Sequence, residues 1–91
     1  MFTKIRPFIK TGDFYVIVAE HDTGIILDKD GKYDNSDSIH YFEFIDLDMA
    51  ILYCQEQSAR NIKQEYVIYN SDHECILAVY KNGQIRRYKL P

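Results

Sequence analysis

Tryptophan is absent from this chain, proline occurs twice, and glycine only four times. Four dispersed glycines cannot form the Gly-rich loop that cradles a phosphate. Two prolines leave no room for a polyproline or collagen-like segment. Cysteine is equally scarce: Cys54 and Cys75 stand alone, without a Cys-x-x-Cys pair. That spacing excludes a disulfide scaffold and a zinc ribbon, and reads as two reduced, small core side chains in a cytoplasmic protein. Long apolar runs are missing too. None exceeds the length of residues 14–19, far short of the roughly 20 residues a membrane helix needs. The opening stretch MFTKIRPFIK is broken by Lys4, Arg6 and Pro7, so neither a leader peptide nor membrane attachment is expected.

What the chain does have is ordinary globular composition, 46% hydrophobic and 27% charged, with eight tyrosines and five phenylalanines among 91 residues. Such a length makes one domain, residues 1–91, able to bury roughly 60–65% of its unfolded surface without metal or disulfides. Tyrosine suits half-buried strands and interfaces alike, because its ring packs while its hydroxyl stays wet.

The pattern predicts an α+β domain: an antiparallel sheet of five to six strands, with a single helix over residues 46–60 packed on one face. The expected element order is β-β-β-α-β-β-β. FYVIVAE (14–20) is apolar on both alternations, as in a strand covered on two sides. HDTG (21–24) turns the chain, and IILD (25–28) is expected to return antiparallel to it. IHYFEF (39–44) and EYVIYN (65–70) read as strands, and residues 1–10 as an edge strand, since Pro7 cannot join a central ladder. In the helix, Asp46 is placed to cap and Asp48 to complement the dipole. Leu47, Ile51 and Cys54, with Ala50 beside them, form its apolar stripe, and Gln55, Glu56 and Arg60 its wet side.

Near the C-terminus, Asn82-Gly83 suits a two-residue hairpin turn. That register pairs Tyr80 with Ile85, Val79 with Arg86, Leu77 with Tyr88 and Cys75 with Leu90. Cys75, Leu77, Val79, Tyr88 and Leu90 would then share a core face, with Arg87 and Lys89 on the other.

Charge is segregated along the chain. Residues 20–48 hold nine acids against Lys29 and Lys32, a net of −7, whereas residues 1–19 and 49–91 each carry +2. The densest part is DKDGKYDNSDS, residues 28–38. It fails as a calcium loop: with Gly31 in the sixth position, the first falls on Ile26, which cannot ligate. Zinc at His73 and Cys75 would need further ligands from Cys54, His40 or His21. His40 and Glu43, three apart on a strand, face opposite sides and make a poor acid–base pair. A Cys54 nucleophile would sit on the apolar stripe, where a thiolate is disfavoured. No catalytic constellation, metal or cofactor is therefore expected.

The sequence points instead to a small non-enzymatic binding protein. Its acidic middle, through Asp28, Asp30, Tyr33, Asp34 and Asp37, would dock on a basic surface of another protein. By analogy of size and charge alone, immunity proteins and nuclease inhibitors work in this physical manner, covering a cationic site that normally holds phosphate. Two alternatives stand beside this reading. Lys81, Arg86, Arg87 and Lys89, interleaved with tyrosines on the hairpin, suit nucleic acid, although a pI near 5.5 opposes it. Open edge strands suit a homodimer or another self-assembling accessory domain.

Overall fold

A computed structural model describes residues 7–28, 31–32 and 40–88. Five strands form one antiparallel sheet: β1 (Phe14–Glu20), β2 (Phe42–Phe44), β3 (Gln64–Asn70), β4 (Cys75–Tyr80) and β5 (Gln84–Arg87). Their spatial order is β2-β1-β3-β4-β5. Helix α1 (Leu47–Arg60) crosses one face. The α+β class with a single helix thus holds among the described residues. The element order is corrected to β-β-α-β-β-β.

The reason is visible at the edge of β1. Residues 25–28 do return antiparallel, with the Leu27 N–H donating to the Val18 carbonyl at 2.8 Å. They make only one isolated bridge, Ile26 to Ala19. The rest of that edge is taken by β2, which pairs Phe42 with Val16 and Phe44 with Phe14. One seven-residue edge is shared by two short pieces, so neither grows. The proposed N-terminal strand falls mostly on residues 1–6, outside the described residues. Residues 7–10 carry no strand, but Ile9 is buried against Tyr15 and Ile17.

β1 is covered on both sides, as its unbroken apolar run implies. Val16 and Val18 face the helix, together with Ile68, Leu77 and Val79. Tyr15 and Ile17 face away, under Ile9, Ile26, Tyr41 and Tyr69. Helix α1 begins where Asp46 accepts from the Asp48 and Met49 amides at 2.7 and 3.3 Å, a cap that stabilises by about 1 kcal/mol. Its fully buried positions are Ala50, Cys54 and Ser58, all small and spaced by four. Small side chains along that line let the helix lie close to the sheet.

The register expected for the last hairpin shifts. The hairpin pairs Val79 with Ile85, Tyr80 with Gln84 and Leu77 with Arg87. Its loop has three residues, Lys81, Asn82 and Gly83, all at positive φ (44°, 65° and 91°). What holds it is the helix: buried Ser58 accepts the Gly83 N–H at 2.8 Å. At the other end, a bulge between Ile68 and Tyr69 pairs Tyr69 with Cys75. Cys75 is thereby turned to the helix-free face, away from Leu77. Tyr88 is exposed, and Leu90 lies outside the described residues. Of the five residues expected on one core face, only Leu77 and Val79 are buried under the helix.

Candidate functional site

Of the acidic-loop residues, Asp30, Tyr33, Asp34 and Asp37 lie outside the described residues. Asp28 is described. Its carboxylate accepts the Lys32 N–H at 3.0 Å, while its backbone exchanges bonds with Lys32 and Gly31. Gly31 has a φ of +81°, and with these bonds Asp28 serves the backbone of Gly31 and Lys32.

The other described acids between 20 and 48 form two groups at opposite ends of β1. Glu20 and Asp22 lie at its C-terminal end. Glu43, opposite Tyr15, lies beside its N-terminal end, and Asp46 and Asp48 follow past the Phe44–Phe14 pair. Seven strand residues separate the groups by roughly 20 Å, so these carboxylates do not form one patch. Glu43 sits beside Asp13, whose hydrogen bond and like charge raise its pKa above the ordinary carboxylate value, with partial desolvation adding to the rise and Lys10 opposing it.

The acidic group at the start of α1 borders an apolar line that the sequence pattern did not single out. Ile45, Met49 and Leu52 are 76%, 54% and 61% exposed. Met49 and Leu52, three apart, share the side of α1 that points away from the sheet, and Ile45 stands just before the Asp46 cap, outside the helix. Asp46 and Asp48 flank this line, and exposed Glu56 follows one turn after Leu52. The available signal was the run from Met49 to Cys54, apolar at every position. A helix apolar all round has more than one apolar side, and only one can face the sheet.

The basic hairpin does not gather its cations. Arg86 pairs with Ala78 on the helix-free face, while Arg87 pairs with Leu77 on the helix side. The Arg86 guanidinium lies 4.9 Å from the Tyr80 ring centroid and 5.8 Å from that of Tyr88. It donates to the Tyr88 hydroxyl at 2.8 Å, which holds it in its charged form. His21 stacks on Tyr80 at 5.0 Å and meets the Glu65 carboxylate at 3.0 Å. Lys81 is in the turn, and Lys89 lies outside the described residues.

The remaining candidates are engaged elsewhere. Tyr15, buried, shares a hydrogen bond of 2.8 Å with His73 Nδ1. Cys54 is sealed beneath the helix, and burial pushes its thiol up to about 12. Cys75 is also raised, first by burial and then by Glu65. Among the described residues, no three His, Cys, Asp or Glu side chains come together as a metal site would require. A cavity of about 90 Å³ lies between α1, β1 and β3, lined in part by Gln57, Asn61, Gln64 and Tyr66. Its polar groups bond to one another: Asn61 donates to the Tyr66 hydroxyl, which donates to Gln64. Burial raises the Tyr53 and Tyr66 hydroxyls, so both stay neutral donors. No protein-family model, curated protein or solved structure matches this chain.

Proposed function

We propose that this protein is a small non-enzymatic binding module. Its acidic group at the start of α1, Asp46 and Asp48, docks on a cationic surface of another protein. The observation that carries this reading is the exposed line Ile45–Met49–Leu52 set between Asp46 and Asp48. Exposed apolar side chains scattered singly are ordinary, but two on one helix side with a third just before its cap make an anchor row.

Magnitudes decide how the row acts. Fully burying an Ile, Met or Leu side chain gains about 1.5–3 kcal/mol, so these partly exposed three offer about 3–6 kcal/mol in sum. Association costs about 4–15 kcal/mol in lost freedom. The row alone therefore does not hold a partner. The adjoining carboxylates supply the rest, by meeting lysines or arginines on a partner and by speeding encounter. In an inhibitor-type role the same acids would cover a phosphate-binding surface, and Asp30, Tyr33, Asp34 and Asp37 would extend the contact.

A photo-crosslinking residue at Leu52, with a control at exposed Asp72, tests the proposal in cells. Capture at Leu52 alone, on a partner surface rich in Lys and Arg, is the expected result. The purified pair should lose affinity with rising salt, and Asp46→Asn with Asp48→Asn should flatten that dependence while leaving the helix capped, since Asn caps nearly as well as Asp. Equal capture at both positions, or an affinity indifferent to salt and to both substitutions, removes the reading.

A further inference from the structure

The opposite edge of the sheet carries a surface of opposite sign. β5 is the last strand, and among the described residues nothing pairs with its outer side. Bonding alternates along an antiparallel strand. The Tyr88 N–H donates inward to the Ile76 carbonyl at 3.0 Å, so Arg86 and Gln84 also bond inward. Ile85 and Arg87 then turn their N–H and C=O groups outward, where among the described residues no strand meets them. All four residues of β5 are exposed.

Charge on this edge is uniform. Lys81, Arg86 and Arg87 fall within seven positions that contain no acid, and among the described residues neither arginine is in an ion pair. Pairing with a second copy across a two-fold axis would set these arginines against their equivalents, and like charges on facing strands destabilise. An acidic strand meets the opposite situation on both faces, because Arg86 and Arg87 stand on opposite sides of β5. Ile85, 36% exposed on the helix side, offers an apolar contact beside them.

We infer that β5 is a docking edge for an extended acidic segment of another protein, added to the sheet as a sixth strand. The segment would carry two consecutive carboxylates opposite Arg86 and Arg87, and an apolar residue opposite Ile85. Nucleic acid fits less well. A phosphodiester backbone has acceptors but no donors for the outward carbonyls, and one line of phosphates cannot meet arginines on two faces. The inference is independent of the acidic helix row, which lies on another element and attracts the opposite charge.

The probe is a labelled Thr-Val-Glu-Glu-Val-Thr peptide, which presents the same pattern in either strand direction. Titration into ¹⁵N-labelled protein, with amide exchange at saturation, reads the outcome. Exchange at Ile85 and Arg87 should slow about tenfold or more, with little change at Gln84 and Arg86, which are already bonded. Arg87→Glu should weaken binding about fivefold while leaving amide signals elsewhere in place, and raising salt from about 50 to 500 mM should weaken it further. The inference is overturned if Ile85 and Arg87 are unaffected, or if a Lys-for-Glu peptide binds as well. It is equally overturned if oligothymidylate binds the same residues more tightly, or if concentrated protein pairs with itself through β5.

Discussion

Replacing Ser58 by Ala tests whether the helix dictates the register of the last hairpin. Ser58 is completely buried. Its hydroxyl donates to the Gln55 carbonyl at 3.1 Å and accepts the Gly83 N–H at 2.8 Å. Alanine keeps the helix and nearly the same volume, but leaves the Gly83 amide without that acceptor. An amide stranded away from water costs about 1–3 kcal/mol. Gly83 is half-buried, so water reaches it in part and the lower portion of that range applies. Alanine also returns a few tenths of a kcal/mol, about 0.3–0.5, as the better helix former.

The net expectation is a loss of about 1 kcal/mol, which lowers Tm by about 4–8 °C for a domain of this size. Thermal and urea unfolding followed by circular dichroism measure it, and faster exchange of the Gly83 amide locates it. Ser71→Ala is the control, because Ser71 accepts the Gly12 N–H at 3.2 Å in an exposed setting and should cost less than about 0.5 kcal/mol. A Ser58→Ala protein within about 1 °C of the parent, or an unchanged Gly83 exchange rate, would refute the idea that this one hydroxyl anchors the loop.

Two further outcomes follow from the titrating groups. Because Asp13 raises the Glu43 pKa in the folded state, the native protein holds that proton more tightly than the unfolded chain does, and stability falls as pH rises through the window between the ordinary and the raised value. Asp13→Asn should therefore be more stable than the parent near neutral pH, with the gap closing as pH drops through the carboxylate range; a gap in urea midpoint independent of pH contradicts this. Iodoacetamide on the native protein should modify partly exposed Cys75 and spare buried Cys54, whose thiol is pushed up to about 12. Peptide mass mapping that finds Cys54 alkylated before unfolding contradicts its burial.

The parts of the fold that depend on neighbours in sequence were legible in advance. β1 shows itself as an apolar run, β3 falls within one residue of its expected span, and Asp46 caps the helix where the capping pattern places it. The misread parts depend on residues far away in sequence. The hairpin loop is drawn to three residues by Ser58, twenty-five positions upstream of Gly83, and no local propensity at Asn82-Gly83 carries that information. The failed return strand at 25–28 reflects competition with β2 for one edge of β1. The bulge at Ile68/Tyr69 changes the face of Cys75 without changing any propensity.

The binding surfaces divide in the same way. Acidic and basic segments were evident from composition, but which side of α1 lies outward was not. The deciding pattern is the line of small residues Ala50, Cys54 and Ser58, which brings the helix close to the sheet. A close approach leaves no space on that side for Met49 and Leu52, so the same packing that seals the core puts the anchor row outside. Sheet order then separates the two charges. β2, which leads into the acidic helix start, and β5, which carries the arginines, are four strand steps apart, about 19 Å at ~4.8 Å per step. That exceeds two Debye lengths of ~8 Å at physiological salt. Opposite charges that would attract one another in the unfolded chain are thereby held too far apart to neutralise, and each edge of the sheet keeps its own field for a partner of the other sign.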